Sequence, residues 1–266
     1  MKILVAGDSF CDDETHLVTE LAWTRLLENI LPSTSVDCIG QRGSSVFSAL
    51  HTVREHVSRI DYDVIIVIVT NHERLYQKSE LRPQISSLPH ALTQLNIYKT
   101  TSDPAILKTY QIEKNPTVLN RLEAGRMYYE HLYEHNLGIF ILESCLKEFQ
   151  TAFPGQQVIL IPGFDNYTDS EYACSVLNTH PFNLMEVVYR EDKNFTQLQS
   201  DTLYRELAMI HGNKNGKINH MCQENQHTFA RYVADVIQYG KSDVTIDSFF
   251  SPAKAHFGYY YTELLM

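Results

Sequence analysis

Apolar residues recur along this chain with two periods, and the alternation between them predicts a layered α/β protein. The first signal is Lys2-Ile3-Leu4-Val5-Ala6, a continuous apolar run that breaks at Gly7-Asp8-Ser9. Runs of this kind suit parallel strands covered on both faces. Leu17, Leu21, Trp23, Leu26, Leu27 and Ile30 then fall at helical spacing until Pro32 stops them. The acidic Asp12-Asp13-Glu14 just ahead suits a helix amino terminus, whose dipole favours negative charge. Residues 36–39 read as a second strand. Val46, Leu50, Val53 and Val57 mark one face of a helix over 46–60. Residues 63–69 hold six consecutive β-formers and predict the most deeply buried strand. A helix over 137–153 ends at Pro154-Gly155, a strand over 157–163 follows, and a last helix is predicted over 228–239.

Two stretches break this rhythm. Between 76 and 136 strand periodicity fades, and Pro83, Pro89, Pro104 and Pro116 punctuate the chain. The stretch is too long for a loop and reads as an insertion, with a helix over 121–132. Tyr128, Tyr129 and Tyr133 lie close together there, suited to packing on the sheet or to gripping a sugar or acyl group. Residues 165–215 form a second irregular insertion with one helical portion over 198–210. The extension over 240–266 carries Phe249, Phe250, Phe257 and Tyr259 to Tyr261. Such aromatic density is expected to pack on the body or on a second copy of the chain, which would make a homo-oligomer. The whole of 1–266 reads as a single domain.

Composition narrows the function. A net charge of −10 argues against a partner with a phosphate backbone, since nucleic-acid binders are basic or carry a basic stripe. No stretch approaches the roughly 18 apolar residues of a membrane span. The chain opens into a strand without an apolar signal region, so a cytoplasmic location is expected. Cys11, Cys38, Cys145, Cys174 and Cys222 are odd in number and scattered, which predicts reduced thiols and no structural zinc. His131 and His135 are spaced i,i+4 but lack other ligands nearby in sequence, so no metal is expected.

The chemistry gathers at three strand ends. Ser9 follows the first strand, where in open α/β sheets ligands collect. Gly40-Gln41-Arg42-Gly43-Ser44-Ser45 follows the second and opens a helix, aiming backbone N–H groups at an anion beyond it. It is neither a Gly-x-Gly-x-x-Gly fingerprint nor a phosphate loop. Asn71 follows the third strand. Singly, each has a plain reading: a turn serine or cap, a strand-to-helix turn, a capping asparagine.

Taken in order and spacing, the three blocks resemble the SGNH (GDSL-like) hydrolase family. The resemblance covers 1–75 and 137–240, and it implies a three-layer α/β/α fold. The flavodoxin-like parallel sheet would have about five strands, in the order 2-1-3-4-5. It implies Ser9 as nucleophile, and an oxyanion hole from the N–H groups of Ser9 and Gly43 with the Asn71 side chain. His220 matches the family's catalytic His by register, with Asn225 filling a left-handed glycine position and Ala230 a small helix position. The chain departs from the family three residues before that His, where Lys217 stands in place of Asp. That leaves a Ser9–His220 dyad, a substitute acid such as Asp165 or Asp169, or a crevice that binds without catalysis. The expected activity is hydrolysis of a small acyl ester or acetylated carbohydrate without cofactor or metal. The alternatives are a non-catalytic binding module and an acyltransferase to a sugar.

Overall fold

Residues 1–11, 22–40, 44–72, 74, 116–164, 167–191, 221 and 223–249 are described by the computed structural model. Four strands carry the fold: β1 (Lys2–Ala6), β2 (Ser35–Cys38), β3 (Val64–Val69) and β4 (Gln157–Pro162). All pair in parallel, in the order β2-β1-β3-β4, with Val5 opposite Cys38, Ala6 opposite Val67 and Val67 opposite Leu160. These are the first four places of the expected order. A fifth strand is not among the described residues.

The strands β1, β3 and β4 are apolar on both sides because both sides are covered; in β2 Val36 is buried and Asp37 exposed. Ile3, Val5, Ile66, Ile68 and Ile161 point to one face, packing with Trp23, Leu26, Leu27, Phe229 and Val233. Leu4, Ala6, Ile65, Val67 and Leu160 point to the other, packing with Leu50, Val53, Leu142, Leu146 and Phe149. Successive side chains of a strand alternate, so one continuous apolar run supplies two cores. The first face carries α1 (Trp23–Ile30) and a late helix, α7 (Gln223–Tyr239), which pack together. The second carries α2 (Val46–Val57) and α4 (His135–Thr151). This is a three-layer α/β/α sandwich. From β1 the chain steps outward to β2 through α1. It then reverses past β1 to β3 through α2, on the opposite face. Reversing both direction and face keeps the two crossovers of one hand, as twisted parallel sheets require.

Several boundaries move relative to the periodicity. The helix expected over 121–132 is α3 (Pro116–His131), because proline is preorganised for a helix's first position rather than only a breaker. The stretch over 165–215 is not irregular throughout: it contains α5 (Glu171–Leu177) and α6 (Leu184–Glu191). Ser170 caps α5, its hydroxyl accepting from the Ala173 N–H at 2.9 Å while donating to Glu143. The portion over 198–210 lies outside the described residues. The final helix starts at Gln223, which places Asn225 in its first turn, fully buried, and corrects the left-handed role expected for it. Ser33 is the one non-glycine residue with positive φ among those described. None of Cys11, Cys38, Cys145 and Cys174 is in a disulfide, and burial pushes the Cys145 thiol up to about 11, well away from reactivity. No helix among the described residues is long and apolar enough to cross a membrane.

Phe249, the one aromatic residue of the 240–266 extension that is described, packs edge-on against Phe182, with ring centroids 4.7 Å apart. Beside this cluster the His180 ring meets the Tyr232 hydroxyl through Nδ1. Burial holds His180 down at about 4, against a smaller opposing contribution from a hydrogen bond with the Leu160 backbone. Burial also pushes the Tyr232 hydroxyl up, so it remains a donor. Unfolded, the imidazole takes its proton near 6.5; folded, near 4. Stability present above pH 6.5 is therefore lost as pH falls from 6.5 to 4. His180→Gln removes this titration. Between pH 7 and 4.5 the parent chain is expected to lose on the order of 2 kcal/mol more than the variant, read from urea midpoints. Parallel profiles would contradict the assignment.

Candidate active site at the strand ends

The chain leaves β1 for one face and β3 for the other, so the crevice at their carboxyl ends is a topological switch point, where open α/β sheets take ligands. Ser9 stands three residues past the end of β1, in a single 3-10 turn (Ser9–Cys11). Asn71 stands two residues past the end of β3 and is half-buried. Both sequence-predicted residues thus flank the switch point. Asp169 lies past β4. Gly43, Asp165, Lys217 and His220 lie outside the described residues.

Gly7 permits the close approach that begins the site. Its φ of +146° belongs to glycine, and a Cβ there would sit 2.7 Å from Cys11 Sγ and 2.9 Å from both Ile68 Cβ and the Ile68 carbonyl. Gly7→Ala should therefore cost about 2–4 kcal/mol in urea unfolding, from strain and overpacking together. A loss under 0.5 kcal/mol would mean that the turn yields freely.

Asp8 follows, and its side chain has no solvent exposure at all. One carboxylate oxygen accepts the Phe10 N–H at 3.1 Å, and the Asp8 carbonyl accepts the Cys11 N–H at 3.0 Å, so the residue closes the Ser9 turn from both ends. The other carboxylate oxygen pairs with Arg74 Nη1 at 2.6 Å. Arg74 itself is 9 % exposed in its side chain. The same Nη1 donates to the Ser44 carbonyl at 3.2 Å, and the guanidinium lies over the Phe164 ring, 4.8 Å from its centroid. The Arg74 N–H in turn donates to the Asn71 carbonyl at 3.2 Å. Two buried polar atoms here, Thr70 Oγ1 and Arg74 Nε, find no hydrogen-bond partner among the described residues. Sequence reading missed Arg74. Its one legible signal is a cation five residues beyond a wholly buried strand.

Removing one member of a buried ion pair strands the other's charge. Arg74→Met is expected to cost about 3–5 kcal/mol in urea unfolding, and Asp8→Asn/Arg74→Met, which leaves no charge, much less. Equal losses in the two variants would show that the pair's electrostatics do not set stability at this edge.

A second connection reaches the site from the far end of the chain. The Trp23 indole N–H donates to the Phe10 carbonyl at 2.8 Å, and the Trp23 backbone N–H donates to Gln226 Oε1 at 3.0 Å. Gln226 Nε2 then donates to the Met221 carbonyl at 3.2 Å. The only tryptophan is accordingly core, as its helical spacing suggests, but also a bridge. Beyond Asn71, buried His72 faces His135 Nδ1 through Nε2 at 3.4 Å, and His135 Nε2 meets Asp169 Oδ2 at 2.9 Å. Asp169, one of the two expected substitute acids, is thus engaged by a histidine the sequence reading did not single out for catalysis. Its carboxylate is 66 % exposed. Among the described residues no group of three His, Cys, Asp or Glu side chains is arranged to hold a metal ion.

No protein-family model matches the chain, and no curated protein matches it. Among solved structures, the lipase Lip_vut3 from a goat rumen metagenome is 15 % identical, with a TM-score of 0.27 over 67 % of this chain and 71 % of that one. A likeness so slight decides nothing about the chemistry, which rests on the residues themselves.

Proposed function

We propose that the crevice between β1 and β3 carries ester hydrolysis by acyl transfer, with Ser9 as nucleophile and His220 as general base. The observation that supports this reading most directly is the hydrogen-bonded path from Phe10 through Trp23 and Gln226 to Met221. Phe10 is the residue after Ser9, and Met221 is the residue after His220. Residues more than 200 positions apart are thereby tied at their neighbours by three hydrogen bonds. In this mechanism the Ser9 hydroxyl attacks the carbonyl carbon and yields its proton to His220. The oxyanion is held by the N–H groups of Ser9 and Gly43 and by the Asn71 amide. Collapse expels the alcohol, which takes the proton back from His220, and a water repeats the sequence to release the acid.

Lys217 supplies no carboxylate for the imidazole, while Asp8 is taken by Arg74 and Asp169 by His135. The reading is a dyad in which a backbone carbonyl orients His220, with Asp165, outside the described residues, as the remaining substitute acid. The substrate class is a small acyl ester or an acetylated carbohydrate. Hydrolysis of p-nitrophenyl acetate should fall to background in Ser9→Ala and in His220→Ala. Asn71→Ala should lower kcat about 10²–10³-fold, the usual cost of one oxyanion donor. Undiminished turnover in Ser9→Ala would end this reading. Binding of an anionic ligand near Lys217 without turnover would favour the non-catalytic module instead, and an acylated sugar among the products would mark a transferase.

A further inference from the structure

We propose that Arg74 is the positioning residue of this crevice, holding the Ser9 turn, Ser44 just ahead of α2 and the Asn71 corner in fixed relation. This rests on the hydrolase reading for its catalytic consequence, though not for its structural content. The proposed nucleophile and each proposed oxyanion donor have one of Arg74's bonds on them or beside them. Asp8 precedes Ser9 and takes the 2.6 Å ion pair. Ser44 follows Gly43, and its carbonyl accepts at 3.2 Å. Asn71 itself accepts the Arg74 backbone N–H at 3.2 Å. A fourth contact braces the guanidinium from the far side, where Phe164, just past β4, lies under it and meets Phe10 edge-on at 5.9 Å.

A lone guanidinium can do this because its donors form a rigid planar fork, whereas a lysine offers one flexible point charge. Stability alone is a poor account of such a pair, since apolar replacement of buried ion pairs is often neutral or better. What the fork supplies is registry among turns that arrive from four different strands. Displacement of a reacting group by about 1 Å is enough to cost roughly 10²-fold in rate.

The test compares the full-length chain with Arg74→Lys and with Asp8→Asn/Arg74→Met, by p-nitrophenyl acetate kinetics, thermal melting and amide hydrogen exchange. In the double variant kcat should fall about 10- to 100-fold with KM within about threefold, while melting stays close to the parent. Exchange at the Phe10 and Cys11 amides should quicken, with the β3 amides unchanged. Arg74→Lys should recover melting but not kcat, and it decides the matter if the double variant does not fold. A folded variant at either position with parental kcat and parental exchange at Phe10 and Cys11 would overturn the proposal. If the parent chain shows no Ser9-dependent hydrolysis, the hydrolase reading fails by itself. Exchange then decides positioning: quickening confined to the Ser9 turn sustains it, and unchanged or uniformly raised exchange overturns it.

Discussion

A carboxylate with no contact with water needs a cation, and at Asp8 that cation is Arg74. The rest of the strand-end architecture depends on this pair. Burying Asp8 lets β1 run into its turn without a break in the apolar layers on either side, so Phe10 and Cys11 can drop into the core directly behind Ser9. The charge then has to be answered from an adjacent strand end, because helices on both faces exclude solvent. Arg74 answers it from the corner after β3, and it reaches three other strand ends in doing so.

The sheet makes that reach short. Its order brings β1 and β3 side by side although α1, β2 and α2 intervene in the chain, and the crossovers leave to opposite faces between them. Trp23 performs the complementary task on the α1 side, where its ring packs on Phe229 of α7 at 4.9 Å while its two N–H groups serve the Ser9 turn and Gln226. Apolar burial and polar tethering thus come from one residue. The largest residue of the first core also ties the two ends of the chain together.

Much of this was legible. Continuous apolar runs found β1, β3 and β4 to within a residue or so, because two-sided burial leaves no polar position inside them; β2, which holds Asp37, was read one residue late. The helices α1, α2 and α4 were visible for a related reason: each shows one apolar stripe to the sheet. What escaped was polar and buried, or short. The first turn of α7, Gln223-Glu224-Asn225-Gln226, has no apolar period, yet Asn225 and Gln226 are buried and Gln226 is hydrogen-bonded. A polar run reads as a loop unless its partners are known. The helices α5 and α6 are seven and eight residues long, too short for a 3.6-residue period to declare itself. Ser9 and Asn71 stand just past strand ends, as the apolar runs before them implied. Arg74 was not legible, since its partners lie 66 and 30 residues away and no local pattern encodes them.

The pairing of Asp8 also bears on the electrostatics of acyl transfer. In the proposed mechanism, attack by Ser9 would build negative charge on an oxygen beside that hydroxyl, and the residue before Ser9 is a buried carboxylate. Left unpaired, the Asp8 charge would oppose the build-up of like charge beside it. Arg74, at 2.6 Å from the carboxylate, opposes that charge close to its source, so the proposed oxyanion donors would act against a weaker like field. The acid missing at position 217 removes a group that would steady a positive imidazolium. The cation at 74 restrains a negative charge that would otherwise repel the oxyanion. Charge balance at this edge is thus kept on the nucleophile's side of the crevice, where every group involved is buried and held by the sheet.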